Sequence, residues 1–193
     1  MSDTNSFFAF LNRMKYITRW SLMRNTEREN LMEHSYFVSV VAHCLAEISN
    51  VYFGNSLNAD AIAVKALYHD ASEILTGDMP TPIKYLNEEL KTNYKRVEAL
   101  AGEKLVGLLP EKMQSDYRKI FDEDDADYIW VKYADKLCAY LKCLEEVKYG
   151  NKEFVSARDG VLNQLKAYKS NEINFFIEHF VPAFKLTLDQ LQL

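Results

Sequence analysis

Two histidines and two aspartates interrupt otherwise apolar helical stretches of this chain. The central pair is His69-Asp70, in Leu67-Tyr68-His69-Asp70-Ala71-Ser72-Glu73. Upstream stands Glu33-His34-Ser35, and downstream Asp135 in Tyr133-Ala134-Asp135-Lys136-Leu137. Two neutral imidazoles and two carboxylates suit a divalent cation that keeps positions open for water and substrate. On a continuous helix Glu73 shares a face with His69 and Asp70. His69 and Asp70 themselves then diverge by about 100°, so an ion they share has to lie between their directions. A lone inward His is ordinarily a satisfied core residue, and Asp135 taken alone reads equally well as a polar contact between helices. Four buried ionisable groups on three separate apolar faces point to a shared partner, because each is costly unless paired or metal-bound.

The elements that must carry these residues are helices. Phe7, Phe8, Phe10, Leu11, Met14 and Ile17 recur at helical spacing from Ser6 to about Ile17. Thr18 to Asn25 is a polar, irregular link that contains Arg19-Trp20. A long helix follows from Asn30 to about Phe53, striped by Val38, Val41, Ala42, Leu45 and Ile48, with His34 on the same inward face. After the break at Gly54-Asn55-Ser56, Asn58 caps a helix expected to run from Ala59 to Leu75 and stop at Gly77. Asp78-Met79-Pro80-Thr81-Pro82 is expected to be extended, since a residue before proline is pushed out of the helical region. Further helices are predicted over 88–108, 111–121, 126–149, 153–169 and 172–181. In the 126–149 helix Ile129, Leu137, Leu141, Leu144 and Val147 are expected to face inward, and the acidic run Asp122–Asp125 favours its start.

Composition agrees. The chain of 193 residues has 6 Gly and 4 Pro, few breakers, and no stretch alternates long enough to be a convincing strand. The reading is all-α, a compact bundle of roughly seven to nine helices, over one domain spanning 1–193. Net charge is −5 and no basic stripe is present, which argues against a nucleic-acid polymer as partner. An anionic substrate then needs local cations. Cys44, Cys138 and Cys143 form no CxxC and read as reduced thiols. The N-terminus does not read as a signal peptide, and no apolar run reaches the length that spans a bilayer. The expected location is the cytoplasm.

The order His34, His69-Asp70, Asp135 resembles the H…HD…D signature of the HD-domain metal-dependent phosphohydrolases. Arg19-Trp20, Leu22-Met23-Arg24-Asn25, Thr76-Gly77-Asp78-Met79-Pro80-Thr81-Pro82 and the run Ala134 to Glu146 narrow the resemblance to the YfbR-type bacterial 5′-deoxynucleotidases, over nearly the whole chain. The resemblance implies hydrolysis of deoxyribonucleoside 5′-monophosphates to deoxynucleoside and phosphate, with a metal-bound water as nucleophile. It implies one divalent cation (Co, Mn, Zn or similar) on His34, His69, Asp70 and Asp135, with His34, Asp70 and Asp135 also bordering the substrate. Glu73 would be general acid or base, Asp70 would also orient the water, and Arg19 would bind and orient the phosphate. Trp20 would reject a ribose 2′-hydroxyl and Asp78 would accept from the 3′-hydroxyl, with Met79, Pro80 and Thr81 completing the pocket. Several bases should be tolerated. His43 and His179 match no ligand position. A homodimer is also implied. A triphosphohydrolase, a cyclic-nucleotide phosphodiesterase and a non-catalytic nucleotide-binding HD domain remain as alternatives. The first would want more cations than Arg19, Arg24 and Lys84.

Overall fold

The computed structural model describes residues 4–84 and 86–191; the side chain of Thr81 lies outside the described set. The predicted first helix is shorter than expected: α1 spans Phe7–Leu11 and tightens into a 3-10 turn over Asn12–Tyr16. A loop then leads to α2, Leu31–Phe53, whose start is fixed by a capping box in which Asn30 accepts from Glu33 N–H while Glu33 accepts from Asn30 N–H. Gly54 ends it in the left-handed conformation, with φ 74°. Next come α3 (Ala59–Tyr68), α4 (Glu73–Thr76) and α5 (Thr81–Lys84). The remaining helices are α6 (Glu88–Val106), α7 (Glu111–Ile120), α8 (Tyr128–Lys148), α9 (Val155–Ala167) and α10 (Asn171–His179). The described residues contain no strand; Thr18 and Asn30 form an isolated antiparallel bridge. The architecture is an all-α bundle, as the patterning predicts.

Helix α2 is the central rod, packed along α3 and α8. Val38, Val41 and Leu45 meet Ile62 and Ala66 of α3 and Val131, Leu137 and Leu141 of α8 in one buried cluster. Burying each of the Val, Leu and Ile side chains contributes about 1.5–3 kcal/mol. A second, smaller cluster joins Phe7, Ala71, Leu105 and Leu109, with Tyr68, Tyr117 and Phe121 against it. The turn from His69 to Ser72 lies between them, for Ala66 belongs to the first cluster and Ala71 to the second.

Four further expectations need correction. The predicted helix 59–75 is two helices, broken at His69–Ser72. Thr81 and Pro82 are not extended but open α5, whose first turn tolerates proline because that N–H has no helical partner anyway. Ile129 is 39% exposed, and its neighbours Tyr128 and Val131 take the inward positions. By length and mean hydropathy, Leu31–Phe53 is apolar enough to cross a membrane, contrary to the expectation for every segment. Its apolarity has another use here, since α3 and α8 flank it and α10 packs on it as well. The acidic run lies just before α8, as expected, and folds as turns: Asp122 accepts from Asp124 N–H, and Asp125 accepts from Asp127 N–H and binds Lys65 at 2.8 Å.

Candidate active site

Helix α3 stops at Tyr68 because its last carbonyls are taken over. His69 Nδ1 donates to Ala66 O at 2.7 Å, and tight i+3 bonds follow from Ala71 N to Tyr68 O and Glu73 N to Asp70 O. The turn draws the doublet together, so that His69 Nε2 lies 3.1 Å from Asp70 Oδ2. From α2, fully buried His34 brings Nε2 to 3.5 Å from Asp70 Oδ2 and 3.1 Å from Asp135 Oδ1 on α8. Candidate ligand atoms of His34, His69 and Asp70 all lie within 4.8 Å of one another, and Asp135 joins them through His34.

Burial would lower the His69 imidazole, but Asp70 at 3.1 Å raises it; Nδ1 keeps its proton on Ala66 O, Nε2 makes no well-aligned hydrogen bond, and loss of the Nε2 proton leaves a lone pair aimed inward. An orphaned imidazole nitrogen beside two carboxylates and a second imidazole is a donor set that fits a divalent cation. Burial alone would raise the Asp70 carboxyl, but His69, His34 and Arg19 outweigh it and hold Asp70 well below the usual carboxylate range. Asp135 is held down in the same way, its burial offset by the His34 hydrogen bond and by His34 and Arg19 charge.

Arg19 reaches this cluster from the loop before α2. Its Nε donates to Glu29 at 3.1 Å and its Nη1 to Asp70 at 3.2 Å, with Nη2 4.0 Å from Asp135. Its neighbour Trp20 has a left-handed backbone, φ 57°, and its ring packs 5.4 Å from Phe154. The Trp20 backbone N–H faces the Asp78 carboxylate and favours its charged form, while the buried indole N–H has no partner. Asp78 follows Gly77, whose φ 76° and ψ 160° are open only to glycine at low cost. Burial raises the Asp78 carboxyl against the pull of Arg19.

Glu73 opens α4 and is 6% exposed, and its Oε2 has no partner. Burial first, then the negative charge of Asp70 and Asp78, push its carboxyl up to about 9. It is therefore a carboxylic acid at neutral pH, able to donate a proton. A cleft of about 620 Å³ opens beside the cluster, lined by His69, Tyr68, Ser72, Glu98 and Tyr128 among others.

The structure thus gathers Arg19, His34, His69, Asp70 and Asp135 in direct contact, with Glu73, Asp78 and Trp20 around them. Met79 and Pro80 are half-buried on the exit from Gly77, and the Pro80 carbonyl is committed to the Ile83 and Lys84 N–H groups. They have no polar tie to the cluster among the described residues. The Thr81 side chain lies outside the described residues. His43 stands apart, 44% exposed beside Asp60, and His179 is exposed against Phe175.

Two features escape sequence reasoning. Glu29 joins Arg19 to His34, with Oε1 4.0 Å from His34 Nδ1. In the sequence it belongs to the charged run Glu27-Arg28-Glu29 and no spacing rule singles it out. Lys142 and Glu146 form a buried pair at 2.6 Å on α8. A signal existed for that pair: a Lys…Glu at i,i+4 spacing on the helix face that also carries Asp135.

Residues 6–184 match the family model described as 5′-deoxynucleotidase YfbR-like. The chain is 50% identical over 188 residues to 5′-deoxynucleotidase YfbR of Escherichia coli O1:K1 / APEC, covering 96% of this chain and 94% of that one. It is also 50% identical over 188 residues to a 5′-deoxynucleotidase of Erwinia tasmaniensis, covering 96% and 95%. Among solved structures it is similar to an HD-domain phosphohydrolase from Listeria innocua, with TM-score 0.81 and 25% identity over 93% of this chain and 88% of that one. Family match, sequence relatives and fold agree with the geometry around His69 and Asp70: the chain belongs to the YfbR-like 5′-deoxynucleotidase family.

Proposed function

We propose that the protein is a metal-dependent 5′-deoxynucleotidase that hydrolyses deoxyribonucleoside 5′-monophosphates to deoxynucleoside and phosphate. The observation that carries the reading is the orphaned His69 Nε2, aimed with His34, Asp70 and Asp135 at one point. These four residues would hold one divalent cation, and their donor set suits Co, Mn or Zn. When bound, such a cation supplies Lewis acidity towards the phosphoryl oxygens and the attacking water.

The chain's own residues do the rest. Arg19 offers a planar fork of donors to the phosphate, exchanging carboxylate partners for phosphoryl oxygens. Asp70 orients the incoming water. Water adds to phosphorus as the bond to O5′ breaks, Glu73 delivers the proton that the leaving O5′ needs, and a proton brought in by the water, shed from the product phosphate, restores Glu73. Trp20 closes the space beside C2′, and Asp78 accepts from the 3′-hydroxyl. A monophosphate is favoured over a triphosphate because Lys84, the cation after the proline loop, is committed to Glu98 at 2.8 Å. The same reading takes the chain as one HD-type domain working in the cytoplasm, where its three free thiols suit a reducing compartment. It also takes the working form as a homodimer; the exposed apolar side chains Tyr36, Val40 and Val64 on α2 and α3 offer surface for one.

The test is phosphate release from dTMP, dAMP, AMP and dATP by chelated protein resupplied with Co²⁺, Mn²⁺, Zn²⁺ or Mg²⁺. Turnover of the deoxy monophosphates, lost on chelation, with AMP and dATP spared, is expected. Turnover of dATP alone would move the protein to the triphosphohydrolases, and silence with every metal would refute the reading.

A further inference from the structure

The loop from Thr18 to Asn30 presents Arg19 and Trp20 to the site, yet little apolar burial holds it. Its second half, Arg24-Asn25-Thr26-Glu27-Arg28-Glu29-Asn30, contains no apolar residue, and Thr26, Glu27 and Arg28 are exposed. The neck is closed by Arg19 N to Glu29 O at 2.9 Å and Leu31 N to Ile17 O at 3.0 Å. The tip is held differently. The Glu146 carboxylate, 1% exposed, accepts from Thr26 N–H at 2.8 Å and Glu27 N–H at 3.2 Å. Lys142 donates to Glu27 O and to Glu146, and Asn151 donates to Glu146 and, at 2.7 Å, to Arg24 O. Burial would raise Glu146, but the Lys142 and Asn151 bonds and the two loop N–H groups bring it down to about 2.

The tip in turn holds Trp20. Asn25, next to the clamped Thr26, donates to the Trp20 carbonyl at 3.2 Å and to the Met23 carbonyl at 2.9 Å. The Met23 N–H donates to the Trp20 carbonyl as well. A non-glycine residue stays left-handed only where its surroundings over-determine it. An exposed polar loop does not supply that, and a buried clamp does.

We propose that Lys142, Glu146 and Asn151 are positioning residues for the substrate-facing loop, fixing Trp20 against the sugar and thereby setting discrimination between deoxyribose and ribose. The three touch neither substrate nor the candidate ligands. Lys142 and Glu146 act from the face of α8 that bears Asp135, about 16 Å along the helix between Asp135 and Glu146. The discrimination part rests on the nucleotidase reading above; the positioning of Trp20 does not.

The experiment uses the full chain with Trp130, its other tryptophan, replaced by Phe, so that Trp20 alone reports. Glu146→Gln and Asn151→Ala are compared with this parent. Emission and acrylamide quenching of Trp20 are read together with kcat/KM for dAMP and with kcat/KM, or its detection limit, for AMP. The expected result is a red-shifted, more quenchable Trp20 and a fall in the dAMP-to-AMP ratio of kcat/KM of roughly ten- to a hundredfold. An unchanged Trp20 signal and ratio in folded variants overturns the proposal, even where overall activity drops. If Glu146→Gln does not fold, Asn151→Ala carries the same readouts with the buried ion pair intact. If the wild-type chain releases no phosphate with any metal, the nucleotidase reading fails, and the Trp20 signal alone decides the clamp.

Discussion

Glu73 and Glu146 are both buried glutamates, 6% and 1% exposed, and they have opposite chemistry. Glu146 meets four donors and stays ionised, down to about 2. Glu73 meets two like charges, keeps an oxygen without a partner, and is pushed up to about 9. Burial raises both; the partners decide. A satisfied buried carboxylate is architecture, for its removal leaves Lys142 without a counter-charge. An unsatisfied one is kept against the interest of stability, and such groups cluster where protons are moved.

The largest expected effect separates the two residues by activity. Glu73→Gln keeps the volume and removes the transferable proton, so kcat/KM should fall roughly 10²- to 10⁴-fold in steady-state phosphate release. The chelated protein should meanwhile be no less stable. Between the ordinary 4.5 and about 9 the folded state binds more protons than the unfolded one, so Glu73 makes stability decline as pH rises. Thermal melts from pH 5 to 9 should show that decline in the wild type and a flatter profile in the variant. An active Glu73→Gln would break the contrast.

Glu146 should respond the other way. Glu146→Ala should cost about 3–5 kcal/mol in denaturant unfolding, because it strands a buried ammonium. The double variant Lys142→Met/Glu146→Leu should recover much of that loss. Failure to recover would mean that the loop N–H groups, not the stranded charge, dominate the cost.

The smallest effect concerns Glu29, which sits between the two types, bonded to Arg19 but 4.0 Å from His34 Nδ1. Glu29→Gln should weaken divalent-cation affinity by about 10- to 100-fold, measured by calorimetry without substrate. No change would class Glu29 with Glu146, as a loop fastener only.

Much of this was legible in the sequence where a residue's neighbours in the chain decide its state. Asn30, Asn58, Gly54 and Gly77 mark helix ends by local chemistry, and each does so in the structure. Apolar periodicity placed His34 on the buried face of α2. Periodicity also predicted one helix across His69 and Asp70, since it does not register a side chain competing for the Ala66 carbonyl. That competition is what brings the two side chains to one point. Glu29 and the Glu146 clamp were hidden for a different reason. Thr26 meets Glu146 across 120 residues and Arg24 meets Asn151 across 127, separations that no local pattern encodes. Ile129 is exposed where the stripe puts it inward, because a stripe predicts a face but not where the neighbouring helix stops covering it.

The turn at His69–Ser72 joins the two apolar clusters through Ala66 and Ala71. Amide exchange at such a place cannot proceed by fraying, as it does at a terminus or an exposed loop, because opening the turn parts both clusters at once. The doublet should therefore be among the last backbone to open, and the Thr18–Asn30 loop, which belongs to neither cluster and hangs on the Glu146 clamp, should open before it. The centre that must keep its geometry and the rim that must admit and release a nucleotide thus differ in how much of the core has to part before each can open.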